Sequence, residues 1–280
     1  KYLEEKILKE NPDEIVIFHF LLVAPVHNII RKYNLNIKVK TVVTDPYTAH
    51  PIWFLRKDQS FIIFSEKLKA KCIADGIDEK NLNVFPFILD EKFSEKIPQE
   101  KIEATRKRLG FGNKKILLIL GGGDGIPKGY SILKKILNSG GDFEIAFVCG
   151  KNKRMFKKAQ RLKRAQNIER LKIYEYIDFV NDLLSISDVV ITKCGASTFM
   201  EILLMGKVPV VNSYIWEQEK GNVEFLVENE LGIFEKRVGK LPIIINSLFT
   251  NESLLNKYKS NIENTHLKTG VAEVARFILS

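Results

Sequence analysis

The sequence is poor in cysteine, and its three cysteines, Cys72, Cys149 and Cys194, lie far apart. An odd number at this spacing provides neither a disulfide framework nor a zinc site of the CxxC type. A reducing cytoplasm is the simplest environment for such a chain.

Long hydrophobic runs are also missing. The longest, residues 15–26, is interrupted by His19 and is shorter than the roughly 20 residues of a membrane-spanning helix. Its length suits a buried strand that continues into a helix. The chain starts at Lys1 with a charged helical segment, without an initiator Met or a signal-peptide pattern, so we expect that upstream residues are missing.

Three common catalytic motifs, DxD, HExxH and GxSxG, are absent. Their absence disfavours a metal-dependent sugar transferase and a serine hydrolase. We therefore expect neither a metal ion nor a cofactor. His19, His27 and His266 lack clustered acids or cysteines and are interpreted as packing or surface residues.

Short β-rich runs alternate with amphipathic segments, which is typical of parallel sheets covered by helices. The stretch 88–101 loses this periodicity, contains Pro98 and is interpreted as a linker. We predict an α/β fold with two Rossmann-like lobes, residues 1–97 and 98–280, and a last helix that can cross back to the first lobe. The β-rich runs are 14–20, 38–45, 59–65, 83–87, 115–121, 143–150, 171–177, 188–193 and 208–213.

The first lobe shows four of these runs, whereas nucleotide-binding lobes of this kind have about five or six strands. We expect that its first βα unit is missing. Charge also differs between the lobes, because residues 1–97 hold 15 basic and 14 acidic residues within a chain of net charge +10. The second lobe therefore carries nearly all of the net positive charge.

Much of this charge lies in segment 151–172, which holds ten basic residues and one acid, Glu169. Met155, Ala159 and Leu162 recur at helical spacing and are predicted to face the core, which leaves a basic outer face. This face is either an ordinary solvated surface or a contact with an anionic membrane. Because no aromatic platform accompanies the charge, we expect no nucleic-acid partner.

Two small-residue loops follow predicted strands. GGGDGIPKG (121–129) can bring backbone N–H groups close to a phosphate at a helix start, or it can be an ordinary glycine-rich turn. Its spacing matches neither the P-loop nor GxGxxG. KCGASTFMEI (193–202) starts a helix with Ser197 or Thr198 as the predicted N-cap. Glu201, one turn later, can accept hydrogen bonds from a ribose diol or cap its own helix.

Two further segments carry polar side chains. SYIWEQEKGNVEF (213–225) places Gln218, Glu219 and Asn222 within one helical turn, which suits sugar hydroxyls but is also common at helix starts. TDPYTAHPIWF (44–54) holds Asp45 and His50 at the end of a strand, where a carboxylate or an imidazole can act as a general base. His50 can equally be structural.

Together these segments resemble the monogalactosyldiacylglycerol synthases and the bacterial processive diacylglycerol glucosyltransferases, and more distantly the peptidoglycan N-acetylglucosaminyltransferase. The resemblance runs in order from about Thr41 to Lys236. It is carried by TDPYTAHPIWF, GGGDG, VCGKNK (148–153), ITKCGASTFMEILLMGKVPVV and EQEKGN (217–222). It implies a GT-B fold in which the second lobe holds a UDP-sugar, the first lobe holds the acceptor, and the strand-end loops line one cleft between them.

The resemblance also implies roles for individual residues. Tyr176 and Ile177 would border the uracil, and Glu201 would clamp the ribose. Asp45, His50 and Trp53 match the acceptor-side motif near the reacting centre. The remaining donor-binding residues would be Gly122, Gly123, Gly150, Asn152, Lys193, Gly195, Ala196, Ser197, Thr198, Gln218, Glu219 and Asn222.

The implied reaction is a direct, inverting transfer of glucose or galactose from UDP-glucose or UDP-galactose to a diacylglycerol-type lipid. It would take place peripherally at the cytoplasmic, inner face of the cell membrane. The glycine-rich GGGH-type loop of the family is absent, so the fragment is expected to be able to bind donor without turnover. Trp216 stands where the family more often has Gly or Pro, which leaves the donor sugar open.

Three alternatives remain. A related GT-B transferase could use a polyprenyl-linked acceptor, although TDPYTAHPIWF favours diacylglycerol. A sugar-nucleotide 2-epimerase shares the fold but would change the sugar without any lipid. A catalytically silent module would bind the nucleotide sugar alone.

Overall fold

The computed structural model describes residues 1–280, which fold into two compact units. Unit 1 contains residues 1–88, 216–221 and 269–280, and unit 2 contains residues 89–215 and 222–268. Unit 1 is therefore built from three separate parts of the chain.

Ten strands form two sheets. They are β1 Glu14–Ile17, β2 Lys38–Val42, β3 Ser60–Ile63, β4 Leu82–Val84, β5 Ile116–Ile119, β6 Glu144–Val148, β7 Leu171–Tyr174, β8 Val189–Lys193, β9 Val208–Ser213 and β10 Ile233–Phe234.

Twelve α-helices accompany the strands. They are α1 Tyr2–Glu10, α2 Val23–Lys32, α3 Glu66–Ala74, α4 Gln99–Arg108, α5 Gly129–Asn138, α6 Lys153–Ala165, α7 Val180–Ile186, α8 Ala196–Leu204, α9 Lys220–Glu228, α10 Leu241–Thr250, α11 Glu252–Asn264 and α12 Val271–Leu279. None of them is long and apolar enough to cross a bilayer.

The sheet of unit 1 has four parallel strands in the order β1-β2-β3-β4. Trp53 and Phe61 are among the largest side chains that are fully buried in its core. The last segment of the chain packs here through its backbone. Lys40 Nζ donates to the carbonyl oxygen of Ile278 at 2.9 Å, and the N–H group of Gly270 donates to Phe87 O at 2.9 Å.

The sheet of unit 2 has six parallel strands in the order β10-β9-β8-β5-β6-β7. The run Ile116–Ile119 is fully buried, as expected for a central strand that is covered by helices on both faces. Counting outward from β5, the chain adds β6 and β7 on one side and then β8, β9 and β10 on the other. The order thus reverses between β5 and β8, which is the doubly wound Rossmann arrangement.

The predicted α/β architecture agrees with this structure, since each of the nine predicted strand runs contains or overlaps an observed strand. The tenth strand, β10, was missed because two residues give no periodicity. The predicted boundary after residue 97 differs from the observed one between Ile88 and Leu89. The reason is Phe93, which lies within the stretch interpreted as a linker but is 7% exposed and packs in the core of unit 2.

Candidate active site

The reversal of strand order in unit 2 places two predicted loops side by side. In parallel α/β sheets, ligands bind in the crevice at such a switch point, where the loops after neighbouring strands diverge. Here a Cβ atom added to Gly122 would lie 3.9 Å from Lys193 Cε and 4.0 Å from Thr198 Oγ1. The loop after β5 and the loop after β8 therefore border one crevice.

This crevice has a volume of about 190 Å³. It brings together seven of the predicted donor-binding residues, namely Gly122, Gly123, Gly150, Tyr176, Ile177, Thr198 and Glu201. Leu120, Val148 and Val180 complete the lining and were not predicted. Single apolar residues look like ordinary core in a sequence. Their positions just after β5, at the end of β6 and at the start of α7 are the signal that could have identified them.

Gly150 fixes the path of the glycine-rich loop. Its φ is +59°, and a Cβ atom at this position would lie 2.4 Å from Gly123 O and 2.8 Å from Gly125 N. The N–H group of Lys151 also donates to Gly123 O at 2.8 Å. The loop after β6 therefore packs directly against the loop after β5, and only glycine fits at position 150 without displacing it.

The start of α8 offers free backbone donors. The helix begins at Ala196, Gly195 is its N-cap, and no side chain caps it. The prediction that Ser197 or Thr198 is the N-cap is wrong, because the chain enters the helix earlier and both residues lie in the first turn. First-turn N–H groups have no acceptor within a helix, and the helix dipole is positive there. This helix start is therefore suited to bind a diphosphate oxygen.

Glu201 lies in α8 and lines the crevice. Its carboxylate makes no hydrogen bond or ion pair within the protein, so the alternative that it caps its own helix is wrong. Burial raises the pKa of the Glu201 carboxyl, and the charge of Lys92 partly counteracts this effect. A partly buried acceptor without partners is stabilised when ligand donors reach it, and the two hydroxyls of a ribose are such donors.

Tyr176 and Ile177 border the same crevice. The Tyr176 side chain is 61% exposed, and Lys151 Nζ lies 5.5 Å from the centroid of its ring. Ile177 packs against the core cluster of unit 2. An exposed ring beside an apolar side chain provides a surface against which a planar base can pack.

Two predicted donor residues have other partners. Asn152 Oδ1 accepts the N–H group of Met155 at 2.9 Å, caps α6 and lines a separate depression of about 560 Å³. Asn222 is fully buried, and its Nδ2 donates to Cys194 O at 3.0 Å while its Oδ1 has no partner. Asn152 therefore lies outside the crevice, whereas Asn222 holds the backbone just before the α8 start.

Within unit 1, Asp45 follows β2 and lies against Trp53. Its Oδ2 accepts a 2.8 Å hydrogen bond from Trp53 Nε1. Burial raises the pKa of Asp45, the hydrogen bonds from Trp53 and Gln218 lower it, and the nearby charge of Glu219 raises it. The balance keeps this pKa above the usual value of an aspartate, which suits a group that takes up a proton.

His50 is less suited to accept a proton. Its Nδ1 already accepts the N–H group of Ile52 at 3.2 Å and caps the short 3₁₀ turn Pro51–Phe54. In the neutral ring this places the proton on Nε2, which lies 3.8 Å from Glu217 Oε2. The geometry therefore favours Asp45 over His50 as the base, since His50 caps the turn. That either residue is catalytic stays a prediction.

Segment 216–221 packs on the loop that carries Asp45. Thr48 Oγ1 accepts the N–H group of Gly221 at 2.9 Å and lies 3.4 Å from Gln218 O. A Cβ atom at Gly221 would lie 2.7 Å from Thr48 N and 2.8 Å from Tyr47 C, so the two backbones are in direct contact. Gln218 and Glu219, the predicted sugar-recognition residues, thus share unit 1 with the candidate base.

No group of three or more His, Cys, Asp or Glu side chains is arranged to hold a metal ion. That the protein needs no metal and no cofactor stays a prediction.

Two family models match the chain. The glycosyltransferase family 28 C-terminal domain matches residues 92–240, which is more than half of the sequence. The monogalactosyldiacylglycerol (MGDG) synthase model matches residues 1–86. The two matches meet close to the boundary at Ile88 that separates the two units.

Sequence similarity to known proteins covers most or all of the chain. A processive diacylglycerol beta-glucosyltransferase of Bacillus subtilis is 27% identical over 279 residues, which cover 100% of this chain and 72% of that protein. A probable chloroplastic monogalactosyldiacylglycerol synthase of Nicotiana tabacum is 28% identical and covers 87% of this chain, which spans only 46% of that relative.

Solved structures share the fold. MurG of Acinetobacter baumannii is 16% identical with a TM-score of 0.70, and the match covers 99% of this chain and 75% of that one. HepE of Anabaena in complex with UDP-glucose is 16% identical with a TM-score of 0.68 and corresponding coverages of 99% and 81%. The predicted GT-B fold class is confirmed by these similarities.

Proposed function

Because the chain belongs to glycosyltransferase family 28, we propose that it transfers glucose or galactose from a UDP-sugar to diacylglycerol and so forms a membrane glycolipid. One observation carries the donor part of this proposal: the uncapped start of α8 and the unpaired carboxylate of Glu201 border the same crevice. The acceptor part is supported by the match of residues 1–86 to the MGDG synthase model and by the activities after which the similar proteins are named.

The donor would bind to unit 2. The N–H groups at the start of α8 would hold the diphosphate, Glu201 would accept the ribose hydroxyls, and Tyr176 would pack against the uracil. Lys193 lies beside Gly122 at the entrance of the two loops, where its charge favours an anionic ligand. HepE, which shares the fold, has been solved with UDP-glucose bound.

The reaction would be a single displacement. The acceptor hydroxyl oxygen bonds to the anomeric carbon as the bond from that carbon to the UDP oxygen breaks, with inversion of configuration. The electron pair leaves with UDP, whose developing charge the N–H groups and the dipole of α8 stabilise. The proton of the acceptor hydroxyl goes to the carboxylate of Asp45.

The proposal also includes which sugar is transferred and where in the cell the protein acts. The similar Bacillus proteins are glucosyltransferases and the plant ones are monogalactosyldiacylglycerol synthases, so both sugars are retained as donors to be tested. A diacylglycerol acceptor lies in a bilayer. The protein would therefore act peripherally, at the cytoplasmic face of the cell membrane.

Calorimetric titration with UDP, UDP-glucose and UDP-galactose, with dTDP and GDP as controls, tests the donor site. Uridine-selective binding is expected, and equal binding of all nucleotides or of none would overturn it. Incubation with labelled UDP-sugar and diacylglycerol in neutral micelles then tests the reaction. A labelled glycolipid is expected. Label transferred only to a polyprenyl-linked acceptor, an epimerised sugar with release of UDP, or binding without any transfer would each replace the proposed activity by the corresponding alternative.

A further inference from the structure

Helix α6 carries more positive charge than its dipole explains, since only Lys163 and Arg164 lie in the last turn, where basic residues are favoured. Seven of its 13 residues are Lys or Arg and none is acidic. Lys153 and Arg154 occupy the first turn, where the helix dipole favours acidic residues. Pairs four residues apart, such as Lys153 and Lys157, have like charge and repel each other. The arrangement costs stability unless an external partner neutralises it.

The protein itself provides no neutralisation. None of the basic side chains of α6 forms an ion pair within the protein. Burial lowers the pKa of Lys163, and the neighbouring charge of Lys172 lowers it further. Lys158 instead lies above the ring of Tyr130, with Nζ 5.8 Å from the ring centroid.

The charges form a row on the side that faces solvent. Met155 and Ala159 are the buried residues of α6, as the sequence predicted, whereas Leu162, the third residue predicted to face the core, is half-buried. Positions 153, 157, 161 and 164 are spaced so that they share the opposite side of the helix, and all four residues there are exposed. We call Lys153, Lys157, Arg161 and Arg164 the α6 face. From residue 153 to residue 164 this row extends along about 17 Å of the helix.

The positive surface continues beyond both ends of the helix. Near its N-terminus lies the depression of about 560 Å³, whose lining includes Lys128, Arg154 and Lys158. Near its C-terminus lies a second depression of about 590 Å³, whose lining includes Lys163, Arg164 and Lys172. Each depression contains a single acidic lining residue, Asp124 and Glu169 respectively.

We propose that the α6 face docks onto the surface of an anionic phospholipid bilayer. A polybasic row attracts such a surface through the summed charge of its residues, without a shaped pocket for one ligand. The inference rests on the proposed function, because an enzyme that glycosylates diacylglycerol has to reach a bilayer. A nucleic acid fits less well, because Phe156, the only aromatic residue of α6, is half-buried and provides no stacking platform.

Vesicle co-sedimentation tests the proposal with three proteins: the unaltered chain, a variant with Lys153, Lys157, Arg161 and Arg164 replaced by Gln, and a charge-matched control. The control replaces Lys9, Lys71, Lys101 and Lys107, four exposed lysines on other helices, by Gln. With vesicles of phosphatidylcholine and phosphatidylglycerol, the α6 variant should lose on the order of 100-fold or more in partitioning, because each basic residue contributes about a factor of five. The control should bind like the unaltered chain, and added salt should weaken binding.

Equal vesicle binding by the α6 variant and the control would overturn the proposal, as would equal binding of the unaltered chain to pure phosphatidylcholine. Preferential binding of a single-stranded RNA oligonucleotide over anionic vesicles would overturn the choice of partner. Calorimetry with UDP and transfer to diacylglycerol in neutral micelles are run on the same proteins. If none of the three proteins transfers sugar, while vesicle binding is weakened only in the α6 variant, the proposed function is overturned and the docking surface stands.

Discussion

The indole N–H group of Trp53 donates a 2.8 Å hydrogen bond to Oδ2 of Asp45, and the indole itself is only 1% exposed. Its donor is therefore fixed by the core of unit 1, and it holds the carboxylate in one orientation. The same hydrogen bond lowers the pKa of Asp45 against the larger effect of burial, which raises it. Trp53 thus fixes the orientation of the candidate base and lowers its pKa.

Replacing Trp53 by Phe keeps much of the buried ring but removes the donor. Because the hydrogen bond lowers the pKa of Asp45, its loss should raise that pKa, and the acid limb of the profile of kcat against pH should move to higher pH. The profile is measured with the labelled-lipid assay. A variant that loses activity equally at every pH would show that Trp53 only supports the fold.

Replacing Asp45 by Asn should lower the activity and change how the stability of the protein depends on pH. Activity should fall by about 10²- to 10⁴-fold, the usual contribution of a general base. The folded-state pKa of Asp45 is raised, so the stability that its protonated form contributes is complete below the ordinary value of 3.8 and is lost as pH rises through the folded-state pKa. Urea unfolding at pH 4 and pH 7 should therefore show the variant gaining stability relative to the unaltered chain at the higher pH. A constant difference would contradict the inferred shift.

Replacing Glu201 by Ala should weaken UDP binding by about 1–3 kcal/mol, the range for lost hydrogen bonds to a charged group. Calorimetry measures the effect, and circular dichroism checks the fold. Glu169→Ala, a change at an exposed acid, is the control and should leave UDP affinity unaltered. Unchanged affinity in a folded Glu201→Ala protein would remove this residue from the donor site.

Replacing Thr48 by Val removes the acceptor for the N–H group of Gly221, whereas Thr48→Ser keeps it. Because this hydrogen bond holds segment 216–221 on the loop after β2, the Val variant should lose about 0.5–1.5 kcal/mol of stability, whereas the Ser variant should keep it. Urea unfolding measures the difference. A Ser variant as unstable as the Val variant would contradict this role of the hydroxyl oxygen.

Replacing Gly150 by Ala adds a side chain where φ is +59° and Gly123 O would lie 2.4 Å away. Strain of about 1–3 kcal/mol and a displaced loop should lower both the melting temperature and the affinity for UDP. Gly206→Ala is a matched control, because φ there is +65° but nothing lies within 4 Å of the added atom. Gly206→Ala should lower the melting temperature and leave the affinity for UDP unchanged. Equal UDP affinity in both variants would mean that the loop after β5 does not contact the donor.

The sequence predicted the features that depend on neighbouring residues. Continuous apolar runs such as Ile116–Ile119 identify central strands, and the glycine-rich loops after them identify the crevice, because strand ends in a parallel sheet share one edge. The predicted start of α8 was wrong because Ser197 and Thr198 are residue types that commonly cap helices. That Gly195 is the N-cap follows from its backbone dihedral angles, which the sequence does not reveal.

Features that depend on distant residues were not accessible from the sequence. The hydrogen bond between Thr48 and Gly221 joins positions 173 residues apart, and no local pattern indicates that segment 216–221 packs with unit 1. The packing of Phe93 into unit 2 is likewise a matter of tertiary contact. His50 was proposed as a base because of its residue type, whereas its role depends on which group its Nδ1 contacts.

The three-part composition of unit 1 affects the order in which the protein can fold during synthesis. Domains fold largely as the chain emerges from the ribosome, N-terminal parts first. Residues 1–88 emerge before residues 270–278, which hold the partner of the Phe87 carbonyl group and two carbonyl partners of Lys40 Nζ beside its ion pair with Glu14. Unit 2 has by then been translated completely, so the sheet of unit 1, whose four strands all lie in residues 1–88, waits for helix α12 while unit 2 is synthesised. The surface that α12 later covers, which includes Phe85, is the part of the nascent chain that a chaperone would have to protect.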